Sequence, residues 1–328
     1  MAARPLNFDA QLDSEHLVAL EASLPRELDV ADLPGSVGVM RERMAERRAQ
    51  MPVVPLPEGV SVENRLVPGP EGAPDVMVRL YRPAKPRRNA PGLYWIHGGG
   101  IVLGSVDMND PYCAGLAGRL GALIASVEYR LAPEHPFPAP LEDCYAGLVW
   151  LASAAETLGI DRARIAIGGA SAGSGLAAGL ALLARDRGQV RPCFQLLVYP
   201  MLDDRNVTNS SYAVTDPRVW NRDANVVGWS AYLAGKAGTE GVSPYAAPAR
   251  ARDLAGLPPA YINVGTLDLF VDEDVAYAQA LIAAEVPVEL HVYPGVFHGS
   301  PTLAPTSPVA QRWTLDETAA LERALRDI

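Results

Sequence analysis

The chain has 328 residues, 49% of them hydrophobic, enough to bury the core of one elaborated α/β domain. Its formal charge of −10, from 38 acidic and 28 basic residues with no long run of one sign, leaves no footprint for nucleic acid or an anionic membrane. Three scattered cysteines, Cys113, Cys144 and Cys193, do not make a disulfide framework or a zinc site, and no apolar run approaches the roughly 20 residues that span a bilayer, so a cytoplasmic protein is expected.

Residues 9 to 51 read as amphipathic helices. Leu12, His16, Val18, Leu20 and Leu24 mark one segment ended by Pro25, and Met40 and Met44, with the charged run Arg41 to Arg48, mark a second. These helices precede every strand and must pack on something later in the chain. A cap over a site is the expectation, and an arm for homodimer contact is the alternative. A Pro-rich linker from Pro52 to Gly59 follows. Val60 to Val67 and Asp75 to Tyr81 then alternate with period two around the turn Pro68-Gly69-Pro70-Glu71-Gly72, which predicts an antiparallel hairpin at a sheet edge.

Gly92 to Ile96 reads as a central strand that ends directly in His97-Gly98-Gly99-Gly100. Successive glycines let peptide N–H groups turn towards a ligand. No Lys-Ser/Thr follows, which excludes a P-loop, and no G-x-G-x-x-G suggests a dinucleotide. An oxyanion hole is the better assignment, with Gly99 and Gly100 as donors, Gly98 as a further candidate and the Ala172 N–H completing the set.

Pro111 to Leu120 is expected to be a helix and Ala122 to Tyr129 a strand. The segment Glu128 to Pro140 has four prolines in its last eight residues, which makes it an extended excursion in which His135 is structural, before a helix from Leu141 to Leu158. Ala163 to Ile167 then reads as a buried strand, followed by Gly169-Ala170-Ser171-Ala172-Gly173 and a small-residue helix to about Arg185. That strand, turn and helix context is what the G-x-S-x-G nucleophile elbow requires, and it makes Ser171 the candidate nucleophile.

Cys193 to Tyr199 is another strand, after which residues 203–243 break the βα rhythm with Tyr212, Trp220, Trp229 and Tyr232. This insert is expected to join the N-terminal helices in a cap, the alternative being that its aromatics form only the core of a small helical subdomain. Tyr261 to Thr266 is a strand with Asp268 at its exit. Asp272, Glu273 and Asp274 open the next helix, where acids are favoured by its positive end, so Asp268 is the candidate triad acid. Val288 to Tyr293 is the last strand, His298 lies in the loop behind it, and a helix from Val309 to Arg326 ends the series. Of the five histidines, His298 is best placed to reach Ser171.

Together these stretches resemble the hormone-sensitive-lipase-like esterases, the bacterial family IV carboxylesterases. The resemblance rests on His97 to Gly100 with Ile101-Val102-Leu103-Gly104-Ser105, Glu128 to Ala139, Gly169 to Gly173, Asp268 to Glu273, and Phe297-His298-Gly299. It implies an α/β-hydrolase fold with an eight-stranded, mostly parallel sheet, a core formed by 52–202 and 244–328, and a cap formed by 1–51 and 203–243. It also implies hydrolysis of short- to medium-chain carboxylic esters, with a small-molecule ester as the partner and neither metal nor cofactor.

The family pattern departs here in two places. Ala170 stands where Asp or Thr usually precedes Ser-Ala-Gly, and Asp268-Leu269-Phe270-Val271-Asp272 lacks the usual proline and arginine. In the expected mechanism His298 takes the Ser171 proton, and an unperturbed histidine titrates near ~6.5. Trp220, Trp229 and Phe297 are candidate pocket walls. An amidase on the same triad remains an alternative. So does a non-catalytic receptor, such as the plant gibberellin receptors, which resemble this family but lack the histidine.

Overall fold

The computed structural model describes residues 8–21, 28–50, 55–85 and 88–326. Eight strands, β1 (Val60–Val67), β2 (Val76–Pro83), β3 (Ala90–Ile96), β4 (Leu123–Glu128), β5 (Ile160–Ala170), β6 (Gln195–Val198), β7 (Ala260–Gly265) and β8 (Val288–Tyr293), form one sheet in the order β1-β2-β4-β3-β5-β6-β7-β8. The expected hairpin is the edge: β1 pairs antiparallel with β2, which pairs antiparallel with β4, and every other pairing is parallel. The sheet is α/β and mostly parallel, as the family resemblance implied.

Burial follows position in the sheet. Every residue of β3 is buried, because helices cover both faces of a central parallel strand, whereas β1 alternates towards solvent. Alternation along β3 divides the core: Tyr94 and Ile96 pack with Leu141, Leu148 and Leu180 on one face, and Leu93 and Trp95 pack with Cys113, Leu116 and Trp313 on the other.

The helices are α1 (Phe8–Gln11), α2 (Ser14–Glu21), α3 (Leu33–Gln50), α4 (Asp110–Leu120), α5 (Ala139–Ser153), α6 (Ala155–Leu158), α7 (Ala172–Arg187), α8 (Asn209–Ala213), α9 (Arg222–Tyr232), α10 (Val271–Ala283), α11 (Ser300–Leu303) and α12 (Pro308–Ala324). The single helix expected from Leu141 to Leu158 is interrupted at Ala154, where the backbone leaves helical geometry. No helix among the described residues is long and apolar enough to cross a membrane.

The N-terminal region departs most from the sequence pattern. His16 and Leu20 are buried, but Val18 is 71% exposed, because a residue two positions along a helix points to the opposite face. Leu24 and Pro25, and part of the 52–59 linker, lie outside the described residues. The α2 region is fastened to the last part of the chain: Asp13 N–H, just before α2, donates to Gly295 O in the loop after β8 at 3.1 Å, and His16 Nε2 lies 2.9 Å from Ser307 Oγ at the start of α12. Arg218 of the 203–243 insert reaches Asp9 at 2.9 Å, so the two expected cap segments are in contact.

Candidate active site

The loops at the carboxyl ends of β3, β5, β7 and β8 converge on Ser171. Its backbone is at φ 58 and ψ −123, a conformation that costs a non-glycine residue on the order of 1–3 kcal/mol and persists only where the surroundings enforce it. Enforcement is local. Ser171 N–H donates to Val198 O at 2.9 Å, and Ser171 O accepts from Gly175 N–H at 3.1 Å and Met201 N–H at 3.2 Å. A Cβ at Gly173 would lie 2.1 Å from the Ile96 carbonyl oxygen, so only glycine lets α7 start this close to β3. Behind the turn, where Ala170 offers no polar group, Ser174 substitutes. Its hydroxyl donates to Gly169 O at 2.5 Å and accepts from Val198 N–H at 2.8 Å.

His298 completes a chain of hydrogen bonds. Its Nε2 accepts from Ser171 Oγ at 2.8 Å, and its Nδ1 donates to Asp268 Oδ2 at 2.7 Å. The second carboxylate oxygen of Asp268 accepts Phe270 N–H at 3.0 Å, which aims the carboxylate at the ring. All three groups are more than nine-tenths buried. Phe270 and Tyr199 hold the imidazole edge-on, with ring centroids 5.2 and 4.7 Å away. Helix N-terminal acids do not compete for this role. Asp272 accepts Ser210 N–H, Glu273 accepts the Leu202 and Asp203 amides, and Asp274 is wholly buried. Burial raises the pKa of Glu273 and Asp274 well above the ordinary carboxylate range.

Opposite the serine, Gly99 and Gly100 sit at φ 121 and 63. Among the described residues no acceptor pairs with the amides of Gly99, Gly100 or Ala172, and Ala172 also begins α7, whose positive end faces the same space. Gly98 packs against the elbow, where a Cβ would come within 3.3 Å of Ser171 Cβ. His97 is fully buried, and burial lowers its pKa to about 4, so it serves as a neutral ring that stacks on Tyr129 at 4.3 Å and donates from Nδ1 to Gly98 O at 2.8 Å.

The three aromatic wall candidates occupy different places. Trp220 is nearest the glycine loop: a Cβ on Gly100 would lie 2.1 Å from its Cη2. Trp220 Nε1 donates to Asn225 Oδ1 at 3.2 Å. Phe297, beside His298, turns its ring to Phe8 and His16 under the N-terminal helices. Trp229 packs on Tyr232, whose ring meets Phe137. Tyr212 is 47% exposed and takes the Arg222 guanidinium over its face at 3.9 Å, so it lies outside the buried aromatics of the insert.

Sequence reasoning missed Ser174 and Tyr199. Ser174 had a signal, one helical turn beyond Ser171. Among the described residues no group of three or more His, Cys, Asp or Glu side chains is placed to hold a metal ion.

Comparison with known proteins identifies the family. The family described as alpha/beta hydrolase fold matches residues 93–302. A carboxylesterase of Mycobacterium tuberculosis is 39% identical over 294 residues, 88% of this chain and 90% of that protein. The solved structure of a bacterial heroin esterase is 43% identical with a TM-score of 0.89, covering 98% of this chain and 100% of that one. An esterase from Mycobacterium marinum superposes with a TM-score of 0.86 at 36% identity, over the whole of both chains.

Proposed function

This chain belongs to the hormone-sensitive-lipase-like branch of the α/β-hydrolase family and is a carboxylic ester hydrolase, and we propose that it works through Ser171, His298 and Asp268 by a covalent acyl-enzyme. The observation that carries this reading is the chain Ser171 Oγ to His298 Nε2 at 2.8 Å and His298 Nδ1 to Asp268 Oδ2 at 2.7 Å.

In the first step Ser171 Oγ attacks the ester carbonyl while His298 Nε2 takes its proton. Asp268, accepting from Nδ1, fixes the tautomer and stabilises the imidazolium. The carbonyl oxygen, now an alkoxide, is bound by the N–H groups of Gly99, Gly100 and Ala172, with Gly98 shaping the approach. The tetrahedral intermediate collapses, the C–O bond to the alcohol breaks, and His298 returns the proton to the leaving oxygen. Water then attacks the acyl-enzyme by the same route, releasing the acid and restoring Ser171.

Substrate size follows from the walls. Trp220 fills the space beyond Gly100 and is held by Asn225, which favours short acyl groups at that end. In this reading Trp229 belongs to the cap, within the insert, and Phe297 is a core residue whose ring lies against Phe8 and His16 of the N-terminal helices. The cap in this reading is the N-terminal segment together with 203–243, supported by residues 8–21, which pack within the chain on Gly295 and on Ser307 at the start of α12. All three cysteines are unpaired, which supports a reducing, cytoplasmic setting.

The test is hydrolysis of p-nitrophenyl esters from acetyl to palmitoyl by the wild type and by Ser171→Ala. The wild type should favour the short chains, and the variant should lose on the order of 10⁴-fold or more in kcat. Turnover by Ser171→Ala at the wild-type rate would move the nucleophile elsewhere.

A further inference from the structure

We propose that Arg41, on helix α3 of the N-terminal region, is a positioning residue for the oxyanion donors, fastening the carbonyl side of the glycine loop so that the Gly100 amide faces Ser171. The inference rests on the serine-esterase reading above and adds to it a residue outside the triad and the loop itself.

The loop needs fastening. Gly99, Gly100 and Ile101 have consecutive φ values of 121, 63 and 65. A β-branched residue such as Ile101 is strained there and stays only where its surroundings over-determine the conformation.

Those surroundings act on the carbonyls. Tyr129 OH donates to His97 O at 2.9 Å, His97 Nδ1 to Gly98 O at 2.8 Å, Leu103 N–H to Gly99 O at 2.8 Å and Ala132 N–H to Ile101 O at 3.0 Å. Arg41 Nε donates to Val102 O at 2.9 Å. In a trans peptide the C=O and the following N–H point in opposite directions, so a carbonyl held on one side aims the next amide to the other.

A relay follows from that geometry. Arg41 holds the Val102 carbonyl, which turns the Leu103 N–H to Gly99 O, which in turn turns the Gly100 N–H towards the serine. Successive hydrogen bonds of this kind polarise one another, and here the guanidinium charge sits at the far end with the sign that strengthens the Gly100 donor.

The guanidinium has further partners. Its Nη2 also donates to Ala132 O at 2.9 Å, and Glu134 accepts from Nη1 at 2.7 Å and Nη2 at 3.0 Å. The bond to Arg41 holds the Glu134 carboxyl below its ordinary pKa. A planar fork with several donors meets a carboxylate and two carbonyls at once; a lysine ammonium cannot span all three. Arg41 therefore joins the N-terminal helix to the 132–134 turn and to the glycine loop in a single contact.

The experiment compares kcat and KM for p-nitrophenyl acetate in the wild type, Arg41→Ala, Arg41→Lys and Arg218→Ala. The last variant cuts the Asp9 ion pair between the N-terminal region and the insert without touching the glycine loop. For Arg41→Ala, kcat should fall about 10- to 100-fold while KM stays within about twofold. Arg41→Lys should lie between, and Arg218→Ala should match the wild type. Millimolar guanidinium should restore part of the kcat of Arg41→Ala and none of that of Ser171→Ala. Should Arg41→Ala fail to fold, Arg41→Lys carries the same comparison.

Arg41→Ala that folds and keeps kcat within about twofold overturns the inference, as does Arg41→Lys doing so where Arg41→Ala does not fold, an equal loss in Arg218→Ala, or the absence of guanidinium rescue. A wild type inert on every ester, or an active Ser171→Ala, overturns instead the reading on which the inference stands.

Discussion

Ser171 and the glycine loop face each other across the site, yet they are held in different ways. The serine is fixed by one continuous stretch, β5 running into α7, with Val198, Met201 and Ser174 bracing the turn from behind. The loop makes one bond within itself, Leu103 N–H to Gly99 O, and takes the others from the Tyr129–Ala132 segment and from Arg41, which lie elsewhere in the chain. A nucleophile can be set by local backbone geometry and close packing. The Ala172 donor comes with the elbow, but the glycine donors must be set by contacts from other parts of the chain, because nothing in a run of glycines fixes its own direction.

The largest effect that sharpens this comparison, short of removing the nucleophile, is expected at Gly100. In Gly100→Ala the new Cβ would meet Trp220 Cη2 at 2.1 Å from a backbone φ of 63, and with Trp220 buried and bonded to Asn225 the peptide, rather than the indole, is expected to turn and to take its amide from the oxyanion. A fall in kcat of about 10²- to 10³-fold is predicted, with the fold intact by circular dichroism. A rate within about tenfold of the wild type would mean that the loop adapts, and the contrast with the elbow would fail. The Arg41 variants come next in size.

The smallest effect on rate is expected beneath the serine side. Glu317 of α12 is buried and accepts from Asn263 Nδ2 at 2.9 Å, Tyr112 OH at 3.1 Å and Trp313 Nε1 at 2.5 Å. Burial raises its pKa from 4.5 to about 7. A carboxyl whose folded pKa exceeds its unfolded value adds stability that is fully present below the unfolded pKa and is lost as pH rises through the folded one. Between about pH 4.5 and about pH 7 the wild type should therefore lose on the order of 3 kcal/mol relative to Glu317→Gln, which does not titrate. Urea denaturation of both proteins at several pH values measures this. A pH-independent difference would show that Glu317 is ionised in the folded protein.

What the sequence made legible follows the same division. Ser171, Asp268 and His298 could be read because each sits just past an apolar strand in a loop of recognisable composition, and the sheet could be read because its central strands are continuous apolar runs. The glycine loop was visible as a motif, but its fastening was not. Arg41 begins a run of charged residues, Arg41 to Arg48, that looks like a solvated helix face, and nothing local marks it as reaching the Val102 and Ala132 carbonyls. Val18 was misplaced because apolarity was weighed above helical spacing. Tyr212 reads in the sequence like the other aromatics of the insert, yet it stands at the surface with the Arg222 guanidinium over its ring.

The most direct test of the whole account is covalent labelling with a fluorophosphonate, followed by mass spectrometry of the peptides. The account predicts one phosphonyl group per chain, on Ser171, with ester hydrolysis lost in proportion to labelling, because the activated hydroxyl and the donors of Gly99, Gly100 and Ala172 together bind a tetrahedral oxyanion. A label on another residue, or full hydrolysis by protein labelled to completion at Ser171, would contradict it.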